Sequence, residues 1–122
     1  MDQLNLFDYI NNDTAVKGKA VSDDGAAIKE KINRRRRQIL IHSCIYYRMN
    51  TNLITDVQFD TWAYELVDLQ RKYPEIANQC IFAKAFDKFD GTTGFDLPLD
   101  DPWVIGISSQ LIMYCNSNKF LL

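Results

Sequence analysis

The sequence has few of the residues that build covalent or metal-held frameworks. Its 122 residues include three cysteines and a single histidine, His42. Cys44, Cys80 and Cys115 lie far apart, no pair is spaced C-x-x-C, and an odd number leaves at least one thiol unpaired in a monomer. Such a set argues against a zinc site or a disulfide scaffold and reads as reduced thiols in a cytoplasmic protein. No apolar run approaches membrane-spanning length, and the first residues lack the basic start and continuous apolar core of a signal peptide. A cytoplasmic chain without membrane contact is the expectation. Positive charge is not in excess either: a formal net charge of −2 excludes a protein that coats nucleic acid by bulk electrostatics. Any DNA contact would come weakly or indirectly, from a local patch. There is no internal repeat, low-complexity tract, glycine-rich phosphate cradle or nucleophile–base arrangement, so neither a catalytic nor a metal site is expected.

What is present is ordinary globular material, 47% hydrophobic and 25% charged, enough for one core but not for two. Residues 1–10 form a short apolar cluster, and residues 11–25, polar and small, read as a flexible linker. A domain over 26–122 follows. Ile28, Ile32, Ile39, Leu40 and Tyr47 recur on one helical face, predicting a helix from about Ala26 to Met49, with Asp23 and Asp24 placed before it where negative charge suits a helix start. Asn50-Thr51-Asn52 breaks the pattern. Thr55-Asp56-Val57-Gln58 has the form of a capping box, and Phe59, Trp62, Ala63, Leu66, Leu69 and Tyr73 mark the next apolar stripe, which Pro74 ends. A short connection makes an antiparallel pair the expectation. Residues 80–99, with Ile81, Phe82 and Phe86, suggest a short strand or an extended loop before the turn-rich Asp90-Gly91-Thr92-Thr93-Gly94. Asp101 and Pro102 then signal a last helix, buried through Val104, Ile107, Leu111, Ile112 and Cys115 and ended by Asn116-Ser117-Asn118. The predicted class is mainly α: a helical pair, a C-terminal helix, and a short extended or β segment near 80–99.

The run Ile45-Tyr46-Tyr47-Arg48-Met49-Asn50-Thr51-Asn52-Leu53-Ile54-Thr55-Asp56-Val57-Gln58-Phe59-Asp60, continuing through Glu65-Leu66 to Tyr73-Pro74-Glu75, resembles the N-terminal helical domain of bacterial NAD-dependent DNA ligases. Residues 36–76 carry the resemblance. It implies a site for the nicotinamide mononucleotide half of NAD, with Tyr46 and Tyr47 bordering the nicotinamide and Asp56 and Asp60 accepting hydrogen bonds from ribose or amide groups. Asp56 and Asp60 are one helical turn apart and project from one side of the helix start, away from Trp62 and Leu66. Phe59 stands where the family usually has a tyrosine, which removes a hydroxyl from the expected site. The alternative is that these aromatics are core and that Asp56 only assists the cap, leaving a reused scaffold. Lys88-Phe89-Asp90-Gly91 spells the Lys-x-Asp-Gly motif in which ligases place their nucleotide-accepting lysine. Too little chain follows it to build a nucleotidyltransferase fold, so it reads as a loop and the chain as no enzyme.

Two further features bear on partners. Gln3-Leu4-Asn5-Leu6-Phe7 resembles the pentapeptide that binds the bacterial sliding clamp. In that reading Leu6 and Phe7 are apolar anchors, Leu4 a supporting contact and Gln3 the polar register. The alternative is a terminal segment packed on the domain itself. Arg34, Arg35, Arg36 and Arg37 fan around a helix, which favours solvated, ion-paired surface, with contact to a phosphate of DNA or of a dinucleotide as the sharper option. A clamp peptide joined to a ligase-like helical pair resembles small ligase-related proteins of phages and prophages. That resemblance implies an accessory protein docking on the clamp in a bacterial cytoplasm and modulating host replication, repair or defence. A protein that binds or sequesters NAD, nicotinamide mononucleotide or a related nucleotide, and an inhibitor acting by surface mimicry, are the alternatives.

Overall fold

The computed structural model describes residues 25–121. Gln3, Leu4, Leu6 and Phe7, and all but the last residue of the expected linker, lie outside that range. Four helices are present among the described residues: α1 Gly25–Tyr47, α2 Asp56–Lys72, α3 Pro74–Asn78 and α4 Pro102–Leu121. The mainly α class is as the sequence indicates. No strand forms over 80–99 among the described residues; consecutive turns carry 81–88 and irregular chain carries the rest.

α1 is the central helix. From Gln38 to Ile45 every residue is buried, which happens to a helix covered on more than one side. One face, with Ile32, Ile39, Leu40 and Cys44, joins Trp62, Ala63 and Leu66 of α2, then Phe86, Leu97, Leu99 and Val104. The other, with Ile41 and Ile45, meets Leu111 of α4, flanked by Ile107, Ile112 and Cys115. The sequence suggested one stripe ending in Tyr47. The structure has two, because α4 packs across the helix, and Tyr47 instead stands 39% exposed at its end.

α1 and α2 run antiparallel, since His42 faces Trp62 while Arg36, earlier in α1, faces Gln70, later in α2. Asn50, with φ of 55°, turns the chain out of α1, and Thr51 N–H donates back to the Ile45 carbonyl. Asparagine tolerates that left-handed region better than most residues. α2 opens as its cap predicts: the Thr55 hydroxyl oxygen accepts from Gln58 N–H at 3.0 Å. Pro74 ends it and takes the first position of α3. Asp101 caps α4, its Oδ1 accepting from Trp103 N–H at 2.9 Å. α4 runs on to Leu121, past the expected stop at Asn116-Ser117-Asn118.

Two members of the arginine run depart from both the solvated-surface and the phosphate readings, although Arg35 keeps the expected ion pair with an acidic residue. Arg35 and Arg36 are 3% and 2% exposed, neither solvated nor open to a phosphate. Arg35 donates to Glu65 at 2.9 Å and to Gln38 at 2.7 Å, its guanidinium 5.8 Å from the Trp62 ring centre. Arg36 donates to Gln70 and to the carbonyls of Ala77 and Ile81. The cause is the helix period: consecutive residues point in different directions, and these two point at α2 and α3. Arg34 pairs with Glu30 one turn back, and Arg37 is half-buried. Burial alone would push the Glu65 carboxyl up, but hydrogen bonds and charge from Lys31 and Arg35 hold it below its usual value.

All three cysteines are free; Cys44 and Cys80 are buried. Burial raises the Cys80 thiol, and its Sγ donates to the Ile76 carbonyl at 3.2 Å, which makes it an inert packing group. No helix among the described residues is long and apolar enough to cross a membrane, and among them no cluster of three His, Cys, Asp or Glu side chains is arranged to hold a metal ion.

Candidate functional site

Where α1 ends and α2 begins, a cavity of about 310 Å³ opens between three walls. The last turns of α1 supply His42, Ser43, Tyr46 and Tyr47. The connection and the start of α2 supply Asn52 to Asp56, Phe59 and Asp60. The third wall is Thr92, Thr93 and Gly94. All five residues singled out as ligand contacts, Tyr46, Tyr47, Asp56, Phe59 and Asp60, line this one space.

Each wall follows from local physics. Tyr46 and Tyr47 fall on the last turn of α1, beyond the cover of α4, and pack edge to face at 4.9 Å. The Thr55 cap begins α2 so that Asp56 and Asp60, one turn apart, both look into the space while Trp62 and Leu66 face the core. Neither carboxylate has a hydrogen-bond or ion-pair partner among the described residues. Phe59 lines the cavity and also packs on the core.

The third wall is tied down at several points. The Tyr47 and Thr93 hydroxyls are 2.8 Å apart, and Phe95 packs edge to face on Tyr47 at 5.2 Å. Asp90 Oδ1 accepts from both the backbone N–H and the hydroxyl of Thr92, so it serves the turn; those bonds hold this exposed carboxyl below its usual value. Gly91 has φ of 92° and lies against Tyr64. Gly94 abuts Ser43 so closely that an added Cβ would come within 2.8 Å of Ser43 Cβ.

Buried polar groups at the cavity's inner end are unpaired. Both His42 ring nitrogens and the Ser43 hydroxyl have no partner among the described residues. Burial drives the His42 imidazole down to about 4, so it is neutral at physiological pH.

Sequence reasoning missed His42, Ser43, Asn52 and the Thr92–Gly94 wall. A signal existed for the first two. His42 and Ser43 precede Tyr46 and Tyr47 by one helical turn and so share their faces. For the third wall only the turn was legible. That it folds back onto Ser43 and Tyr47 is a tertiary fact with no local mark.

Residues 25–79 match the family described as "DNA ligase-like, N-terminal NAD+-binding domain". Among curated proteins, the DNA ligase of Pseudothermotoga lettingae is 33% identical over 67 residues, covering 51% of this chain and 10% of that protein. The DNA ligase of Methylococcus capsulatus is 37% identical over 51 residues, covering 42% and 8%. That of Bacteroides fragilis is 38% identical over 52 residues, covering 43% and 8%. The matched region is thus about a tenth or less of the length of these relatives. No solved structure matches. Residues 25–79 are thus similar to a ligase-like NAD+-binding domain, and they include all five expected ligand contacts; the Thr92–Gly94 wall lies beyond them.

Proposed function

We propose that this chain is a binding module for the nicotinamide mononucleotide half of NAD, and not a ligase. One observation carries the proposal: Tyr46, Tyr47, Asp56, Phe59 and Asp60 surround one cavity, with both carboxylates unpartnered among the described residues. At about 310 Å³ the space lies at the small end of ligand pockets, suited to one nucleoside unit more than to a dinucleotide. In this reading the aromatic rings flank the flat pyridinium. Asp56 and Asp60 accept hydrogen bonds from ribose hydroxyls or from the carboxamide N–H. Phe59 supplies apolar contact only; the hydroxyl it lacks relative to tyrosine costs on the order of 0.5–1.5 kcal/mol of affinity. Calorimetric titration of the full chain with nicotinamide mononucleotide tests it. Saturable binding that weakens at least about tenfold in Asp60→Asn is expected, and no heat at millimolar ligand overturns the reading.

The same reading gives the chain no covalent chemistry. Lys88 precedes a turn whose Asp90 serves Thr92, and among the described residues no three His, Cys, Asp or Glu side chains are arranged to hold a metal ion. Incubation with NAD and magnesium is expected to leave the protein mass unchanged, and an adenylate adduct on Lys88 would make it an enzyme after all.

A second reading, compatible with the first, is favoured by the full match of residues 3–7 to the clamp pentapeptide. We propose that Gln3, Leu4, Leu6 and Phe7 dock on a bacterial sliding clamp, as an accessory protein of phage or prophage origin would. Binding to purified clamp is expected to vanish in Leu6→Ala/Phe7→Ala, and undiminished affinity in that variant sinks the idea.

A further inference from the structure

We infer that the cavity reads the positive charge of an N1-glycosylated pyridine ring and leaves any phosphate to solvent, so that its ligand class is a cationic pyridinium nucleoside. The inference rests on the nicotinamide-side reading above and goes beyond it, because it states what within the ligand is recognised.

The charges on the lining point one way. Asp56 and Asp60 are acidic, and among the described residues no lysine or arginine lines the cavity. His42, at the inner end, is uncharged at neutral pH because it is buried. The nearest arginine in sequence, Arg48, directs its guanidinium to Asp100 at 3.1 Å and lies over the Phe95 ring at 5.9 Å. Arg35 and Arg36, candidates for a phosphate contact by sequence, are sealed against α2 and α3. A phosphate in this space would meet two carboxylates and, among the described residues, no cation.

The aromatic lining agrees with the charges. Tyr46, Tyr47 and Phe59 line the cavity, and rings of this kind have electron-rich faces that attract a delocalised cation. Aromatic faces with uncompensated carboxylates form a cation receptor. An oxidised N1-glycosyl nicotinamide supplies the cation, because its ring nitrogen carries a formal positive charge. Two relatives of similar shape fail in different ways, and a third binds without advantage. The 1,4-dihydro form has lost the charge. The deamidated form carries a carboxylate that cancels it and faces Asp56 and Asp60. The 5′-phosphorylated form gains nothing for its extra charge.

The test is a set of calorimetric titrations of the full chain with four probes: nicotinamide riboside, nicotinamide mononucleotide, nicotinic acid riboside and 1,4-dihydronicotinamide riboside. The first two are expected to bind within about threefold of each other, and the last two at least about tenfold more weakly, a gap of about 1.4 kcal/mol. In Asp56→Asn/Asp60→Asn, checked for an unchanged circular dichroism spectrum, the gap between the amide and acid ribosides is expected to close. If the mononucleotide binds ten or more times tighter than the riboside, the phosphate is recognised; this inference falls while the nicotinamide-side reading stands. Equal binding of all four probes, or a gap that survives the double substitution, overturns the charge mechanism in the same way. Binding by none of the four removes both readings together.

Discussion

Gly94 occupies a position where no side chain fits, because its Cα lies directly against Ser43. Gly94→Ala must push the third wall off α1 or force Ser43 aside, and overpacking of this kind typically costs about 1–3 kcal/mol. A lowered urea midpoint is expected, and an unchanged one would mean that the turn is not seated on Ser43. His42 makes a prediction with a defined pH window. Its folded-state value of about 4 lies below the ordinary 6.5, so between those two pH values the unfolded chain binds more protons than the folded one. Its contribution to stability is therefore fully present above pH 6.5 and declines by about 1.4 kcal/mol per unit as pH falls, levelling off near 4. Urea unfolding at pH 7, 6 and 5 is expected to show a steeper loss for the natural chain than for His42→Leu, and parallel curves would contradict it. At this scale the sequence was readable through the ligase resemblance, which singled out Tyr46, Tyr47, Asp56, Phe59 and Asp60. Helical period put Asp56 and Asp60 on one side, and it could have added His42 and Ser43. Nothing local marked Thr93, whose role comes from reaching a tyrosine 46 positions away.

Among the elements, those with chemical punctuation were the most legible. The Thr55 cap, the Pro74 break and the Asp101-Pro102 start all occur where side-chain chemistry places them. Thr55→Ala removes the bond to Gln58 N–H and is expected to cost about 1 kcal/mol, read from the thermal midpoint. Because Thr55 also lines the cavity, its loss should loosen the start of α2 that carries Asp56. Where only propensity speaks, legibility failed. Asn116-Ser117-Asn118 has weak helix preference but no strict breaker, and α4 passes through it. The buried side of the arginine run was concealed more thoroughly. Four consecutive arginines look like surface, and only the position of α2 and α3 decides which two are enclosed. Arg36→Met leaves the Ala77 and Ile81 carbonyls and Gln70 without their donor. A loss of about 3 kcal/mol is expected in chemical denaturation, and a loss below about 0.5 kcal/mol, the range of ordinary surface substitutions, would show that these bonds are solvent-exchanged in solution.

For the molecule as a whole, the ligase-like segment and the folding unit have different boundaries. The family match ends at residue 79, but Phe86, Leu97, Leu99, Val104 and Leu111 complete the two apolar clusters around α1. A fragment of residues 25–79 would expose the α4-facing side of α1 and lose the third wall of the cavity. It is expected to show no cooperative thermal transition, whereas residues 25–122 keep one; a cooperative melt of the short fragment would refute this. The general class and the helical pair were visible because local periodicity encodes them, while the second buried face of α1 was not, because it exists only once α4 arrives. Arg36 adds an order of events. Its acceptors lie at Gln70, Ala77 and Ile81, so a chain emerging from the ribosome holds this guanidinium without its full complement until the eighty-first residue has cleared the exit tunnel. Until then docking α1 on α2 strands a cation in the interior, a costly state. The helical pair is therefore expected to close late during synthesis, after α3 and the turn behind it are available to receive that charge.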